Sequence, residues 1–337
     1  MSLPPVEIPL GAVRFNSDSQ KLEYWTGATW MQIHTFSPNF EGGVRGIHGG
    51  GAATTINTIQ FITISTQGNA VNFGDFPQRQ YLTSATSSRT RGVWMGGYTN
   101  SPSSTYINSI QAVEMLSTGN GFDFGDLTQT AGYNGCLGNQ TRAIRLGGTA
   151  PVNPSTNVMD YVTIATTGDA VDYGDISTGG RTSTNINSPT RGVFNVGGHY
   201  NGNQPSDLDY VTIPTLGNSR NFGELTVPTQ EIFGASNAVR GVLAGGYQSP
   251  SNINNIQYLT IATKGNSSDF GDLVAAMRVS AGTSSPTRAV WFGGLTPSAV
   301  NTIQYVQIAT TGDAVDFGDT VETVYEGGAC STGHGGL

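Results

Sequence analysis

Residues 279–320, VSAGTSSPTRAVWFGGLTPSAVNTIQYVQIATTGDAVDFGDT, hold one whole copy of a repeat. Alternation and turn chemistry predict four strands in it: VSAGTSS (279–285), RAVWFGG (288–294), VNTIQYVQIAT (300–310) and AVDFGDT (314–320). Between the last two lies T-G-D, where glycine supplies the positive φ of a tight hairpin. The first strand is built of small residues, which suits the most crowded position in a packed array. No segment carries the 3.6-residue period of an amphipathic helix.

Working outward, the same unit occurs six times. The first halves read RGIHGG, RGVWMGG, RAIRLGG, RGVFNVGG, RGVLAGG and RAVWFGG, starting at Arg45, Arg91, Arg142, Arg191, Arg240 and Arg288 and so spaced 46 to 51 residues apart. The second halves end FGDF, FGDL, YGDI, FGEL, FGDL and FGDT. A period near fifty with Gly-Gly closing a strand is the signature of kelch-type blades. The fold class expected is all-β, a six-bladed kelch-like β-propeller over residues 39–337, behind a small N-terminal β module over residues 1–38. The first unit enters at Val44 without a first strand of its own. The tail YEGGACSTGHGG (325–336) resembles one, so the ring is expected to close through the C-terminal strand.

Composition narrows the function classes. Charged residues are 11% of the chain against an average near 25%, and the 47 glycines are about twice the usual share, as many short strands and tight turns require. With a formal net charge of -8 and two lysines, Lys21 and Lys264, there is no basic stripe for nucleic acid or anionic lipid. No apolar run is long enough for a membrane span, and the opening residues lack the basic and apolar regions of a secretory signal, so synthesis in a cytoplasm is expected. Cys136 and Cys330 belong to no CxxC motif; two buried thiols are the expected state, a staple between them the alternative.

The arginine that opens each unit and the acid that closes it (Asp75, Asp126, Asp175, Glu224, Asp272 and Asp319) recur once per repeat, which marks them as structural ion pairs and strand-end hydrogen bonds rather than an active site. The triplets Asp169, Asp172, Asp175 and Asp313, Asp316, Asp319 raise calcium, but positions three apart on a strand face opposite ways. The four histidines share no ligand spacing, and HExxH and GxSxG are absent. No catalytic residue, metal or cofactor is expected. Binding residues are expected where the repeats differ, in the loops after Gly-Gly: Tyr98, Asn100, Tyr106, Tyr200, Asn201, Tyr247 and Gln248, whose aromatic faces and amides suit sugar recognition. Residues 1–38 read as three short strands too small for a core of their own, which makes them an assembly element. Its candidate residues are Arg14, Phe15, Asn16, Tyr24, Trp25 and Trp30.

The stretch GAVRFNSDSQKLEYWTGATW (11–30) resembles a short module of fibre and appendage proteins of tailed phages, especially those of marine and cyanobacterial hosts, with Arg14, Phe15, Asn16, Glu23, Gly27 and Trp30 at its recurring places. The T-G-N-A-x-D-F-G-D-L repeats are similar to kelch-like arrays in the same class. The resemblance implies a virion structural protein, a non-enzymatic tail fibre or appendage component, homo-oligomeric and joined to other virion proteins through its N-terminal module. A host-surface glycan or receptor is the ligand it implies. Shaft sequences of long fibres are missing, which keeps a capsid, neck or tail decoration protein as the alternative. A polysaccharide depolymerase is a third class, for which Asp207 and Asp209 are the unrepeated acidic pair near the loops.

Overall fold

The computed structural model describes residues 8–16, 21–32, 44–52, 56–151, 155–182, 186–196 and 204–337, and among them every regular element is a β-strand. The chain divides into two compact units, residues 1–41 and 42–337.

In the first unit, Val13–Asn16, Lys21–Trp25 and Trp30–Gln32 form an antiparallel three-stranded sheet. Its register sets Val13 opposite Tyr24, Phe15 opposite Leu22 and Tyr24 opposite Met31. Because side chains alternate along a strand, these five share one face, and all five are exposed.

The second unit contains six four-stranded antiparallel sheets among the described residues. Their second strands are the arginine-led segments Arg45–Gly49, Arg91–Thr99, Arg142–Leu146, Arg191–Asn195, Arg240–Ala244 and Arg288–Leu295. The first strands are short: Ser84–Ser87, Gly135–Gly138, Ile186–Asn187, Phe233–Ser236 and Ala281–Ser284 in the second to sixth sheets. In the first sheet that place is taken by Gly328–Ser331, which pairs antiparallel with Arg45–Gly49, Cys330 opposite Ile47. Each first strand packs on the first strands of its two neighbours, and Gly328–Ser331 packs on both Ser84–Ser87 and Ala281–Ser284. Glycine, alanine, serine, threonine and cysteine make up most of these strands, which lets them crowd this way, with Leu137, Ile186 and Phe233 turned into the cores between sheets.

The core is six separate hydrophobic clusters, each filled from two consecutive sheets. Ile303 of Ala299–Gln307 joins Ile62, Val290 and Phe317, whereas Val306 and Ile308 join Phe233, Phe270 and Trp291. Alternation thus splits one strand between two cores, which is why both of its faces are buried. The cluster that unites Ile62 with Phe317 joins the sixth sheet to the first.

Polar contacts repeat with the same step. The side-chain oxygen of Asn120 accepts the Asp75 N–H at 3.1 Å, Asp169 accepts that of Asp126 at 3.0 Å, Asp313 that of Asp272 at 3.0 Å, and Asn69 that of Asp319 at 3.0 Å. The residue after the hairpin glycine is therefore Asn or Asp because it caps the outer strand of the preceding sheet. This contact uses Asp169 and Asp313, and among the described residues no group of three or more His, Cys, Asp or Glu could hold a metal ion. The six leading arginines do not pair with the six closing acids. Their guanidiniums donate to main-chain carbonyls of the next sheet, Arg45 to Met115 (2.8 Å), Arg240 to Ile308 (2.9 Å) and Arg288 to Ile64 (2.8 Å), while lying over an aromatic ring of their own sheet. A carbonyl at a strand end is a fixed acceptor, while four of the closing acids are exposed and Asp175 and Asp319 half-buried; among the described residues Arg91 is the one leading arginine that adds a carboxylate, that of Glu114 at 2.7 Å.

Candidate functional site

The six first strands start around a cavity of about 70 Å³. Just ahead of five of them stand Leu82, Tyr133, Glu231, Val279 and Glu326, each with φ between 50° and 58° although none is glycine. The left-handed region costs such residues ~1 kcal/mol or more each, so the surrounding structure must hold them there. Main-chain hydrogen bonds supply the restraint by linking them head to tail. Leu82 donates to the Glu326 carbonyl (2.8 Å), Tyr133 to Leu82 (2.9 Å), Glu326 to Val279 (2.9 Å) and Val279 to Glu231 (3.4 Å), with Thr182 donating to Tyr133 (3.1 Å) in the same way. The turn brings five side chains of four kinds, two of them glutamates, to one small space.

Their chemistry is concentrated. Glu231 takes two guanidiniums, Arg278 at 2.9 Å and Arg181 at 3.5 Å. Arg181 lies over the Tyr133 ring, 3.4 Å from its centroid, and Arg278 over Tyr247 at 5.0 Å. Glu326 has neither an ion pair nor a side-chain hydrogen bond among the described residues. Burial, and then the nearby Glu231 charge, push its carboxyl up to about 7, while Arg181 and Arg278 pull it back. Burial likewise drives the Tyr133 hydroxyl up to about 12. Asn134 is buried, gives its amide to the Met95 carbonyl (2.9 Å), and leaves its Oδ1 without a partner; the Nε of Arg181 and that of Arg278 are also buried and unpartnered.

The last residues of the sequence cover the opposite ends of the first strands. His334 Nε2 donates to the Ser87 carbonyl (2.8 Å), Gly336 N–H donates to His334 Nδ1 (3.1 Å), and Gly335 N–H donates to Ser236 (2.8 Å). These bonds require the neutral Nε2–H tautomer, and burial pushes the imidazole down to about 4.

None of the described loop residues expected to bind lines the cavity, but three stand beyond it, Tyr98 and Tyr106 behind Tyr81 and Tyr247 behind Arg278. Tyr98 stands opposite Tyr106 across two strands, their rings edge-on at 5.0 Å, and Tyr81, next to Leu82, packs on Tyr98 at 5.3 Å. Tyr247 lies under Arg278. Gln248 is half-buried and Asn100 is exposed. Tyr200 and Asn201 lie outside the described residues. Asp209 is buried and bonded to Ser219, whereas Asp207 is exposed, so this pair does not face a common groove. Both cysteines are free and buried, which pushes their thiols up.

In the N-terminal unit, Arg14 pairs with Glu23 (2.8 Å), Asn16 donates to the same carboxylate (2.9 Å), and Arg14 lies over Trp30 at 4.2 Å, with Trp25 beside it. Four of the six assembly candidates thus knit one face of the sheet together. Phe15 and Tyr24 belong to the exposed apolar face.

Leu82, Tyr133, Arg181, Asn134, Glu231 and Glu326 were missed by reading the loops alone. The signal that could have found them is negative. At these repeat positions most of the six units differ in chemistry, although Glu231 and Glu326 share one place and Arg181 and Arg278 another, whereas positions that build the sheets recur. Compared with known proteins, the chain matches no family model and no curated sequence.

Proposed function

We propose that residues 42–337 are a six-bladed kelch-like β-propeller and that the chain is the binding component of a tailed-phage virion, without catalytic activity of its own. Six four-stranded sheets joined by one recurring set of contacts, with the sixth contacting the first, support the propeller. The phage assignment rests on the resemblance of residues 11–30 and of the repeats.

The observation that carries binding is the contrast between two kinds of polar residue. The leading arginines and the Asn or Asp after each hairpin glycine, which recur once per sheet, are spent on main-chain partners, while Asn134 and Arg181, which do not recur in every sheet, line one cavity with hydrogen-bonding atoms unused. A rigid scaffold holding strained, variable side chains at one end is built for recognition. In this reading the N-terminal sheet docks to other virion proteins or to copies of itself through Val13, Phe15, Leu22, Tyr24 and Met31. The propeller then engages the host surface, and many copies on one particle convert weak contacts into firm attachment.

Immunogold labelling of the particles that carry the chain tests this. Label at tail tips or fibre ends is expected; label spread over the capsid shell makes it a decoration protein instead. New reducing ends on incubation with host polysaccharide would make it an enzyme.

A further inference from the structure

The cavity offers an unusual set of unmet groups. Asn134 Oδ1 is a buried acceptor without a donor and Arg181 Nε a buried donor without an acceptor, while the half-buried Glu326 carboxylate beside them has no side-chain partner among the described residues. Buried polar groups are nearly always satisfied, so such a cluster asks for a ligand that supplies both functions at once. Charge narrows the choice. Arg181 in the lining and Arg278, which reaches it as the ion-pair partner of Glu231, balance Glu231 and Glu326, so the site with that partner sums to zero with Glu326 ionised and to one positive charge with it protonated. A cation gains nothing from that balance, and an anion meets Glu231 and Glu326.

The hydroxyl group fits. It donates and accepts together, and it serves Glu326 in either protonation state. At the ~10–15 Å³ a water needs, the space takes roughly five hydroxyl-sized groups, the scale of one pyranose ring rather than a chain. The edge formed by Tyr81, Tyr98 and Tyr106 provides aromatic surface for the C–H faces of such a ring.

We propose that the cavity at the head of the first strands, lined by Asn134, Arg181, Glu231 and Glu326, is a subsite for one neutral sugar residue, with the tyrosine edge receiving the next residue of a glycan chain. This rests on the binding reading above and moves the primary contact from the loops to the cavity.

The test uses the full chain and saturation-transfer NMR with glucose, galactose, mannose and N-acetylglucosamine, each up to tens of millimolar, with choline and acetate as charged controls. One or more of the neutral sugars is expected to bind with Kd near ~1 mM. Asn134→Ala and Glu326→Gln should each weaken it tenfold or more while their thermal melts stay cooperative. Tyr98→Ala should weaken it less than threefold for a single sugar. Should Asn134→Ala fail to fold, Glu326→Gln, which preserves shape, carries the decision. Sugar binding that survives both cavity variants but is lost in the combined Tyr98→Ala, Tyr106→Ala and Tyr247→Ala protein overturns the cavity and leaves the binding reading intact. Binding of choline or acetate in place of sugar overturns the ligand class. No binding of any sugar, together with no binding of the chain to host cells, sinks the inference and the reading together.

Discussion

At the scale of single residues, the third sheet carries the most exposed liability of the fold, in a place water never reaches. Arg145 and Asp160 face each other across two strands, both wholly buried, with Arg145 also donating to the Gly147 carbonyl at 2.6 Å. In the fifth sheet the same two places hold Leu243 and Gln257, and the glutamine binds main-chain atoms of Val227 at 3.0 and 3.1 Å. An ion pair is one of two solutions to the same contact. Asp160→Gln alone should cost about 3–5 kcal/mol because it strands a buried guanidinium. Arg145→Leu with Asp160→Gln, which installs the fifth sheet's pair, should recover most of that in urea denaturation; failure to recover would mean the third sheet needs the charge. A second expectation concerns pH. His48, buried against Phe292 with Gln60 at its Nδ1, is pushed down by burial to about 3, and His334 to about 4. The unfolded chain therefore binds more protons than the folded one below pH 6.5, and stability is lost as pH falls from there through 4, by a few kcal/mol for each histidine. Glu326 works the other way. Its folded value near 7 lies above the usual carboxyl value, so its contribution is present below about pH 4.5 and lost as pH rises through 7. Thermal melts should peak between pH 6 and 7. Glu326→Gln should stabilise the chain at pH 8 on the order of 2–3 kcal/mol and change little at pH 4.5.

At the scale of the strand, the F-G-D motif has a steric cause. Gly271 has φ 150°, and a Cβ there would stand 2.5 Å from the carbonyl oxygen of Gly312 in the next sheet. Gly265 has nearly the same φ, 156°, but open space around it. Gly271→Ala should therefore cost ~2 kcal/mol or more beyond Gly265→Ala, read as the difference between their urea midpoints; equal costs would assign the motif to backbone conformation alone. The motif was legible in the sequence because this steric demand recurs. So were the strands themselves: the expected 288–294, 300–310 and 314–320 fall on Arg288–Leu295, Ala299–Gln307 and Val315–Asp319. The pairing of the tail with the first unit was legible too, since the residues around Cys330 and Cys136 share their small-residue character. Of the two roles expected for the arginines, the strand-end hydrogen bonds are there and the ion pairs with the closing acids are not. Composition pairs Arg with Asp, but the nearest fixed acceptors are carbonyls freed at the strand ends, a fact of three-dimensional spacing. The cavity was hidden for a related reason. Leu82, Tyr133, Glu231, Val279 and Glu326 adopt a glycine-like conformation with no glycine to announce it, and Asn134 and Arg181 acquire meaning only when separate repeats meet.

For the molecule as a whole, the tail is where closure can be tested, because residues 328–337 bind several sheets at once. Thr332 and Arg45 exchange hydrogen bonds at 3.0 and 3.1 Å, Ser87 Oγ donates to the Ser331 carbonyl at 2.7 Å, and Trp94 Nε1 donates to Gly328 at 3.0 Å. Cys330 also completes the cluster of Ile47, Phe76 and Trp94. Deleting 328–337 removes a strand, part of a core and the contacts to both neighbouring first strands, and it leaves Arg45–Gly49 with an unpaired edge in a chain with almost no lysine to guard it. Deleting only 333–337 keeps the strand and removes the His334 contacts. In the proposed propeller the sheets hold each other around a ring, so the longer deletion should lower the melting temperature by about 10 °C or more and broaden the transition, with aggregation on heating. The shorter deletion should melt as one transition, a few degrees lower, with weaker acid sensitivity because a titrating imidazole has gone. The two together separate closure from mere loss of contacts. A chain lacking 328–337 that still unfolds in one sharp step at the original temperature would mean that the six sheets form a stack needing no return to its start, and the shared cavity at their ends would then lose its structural basis.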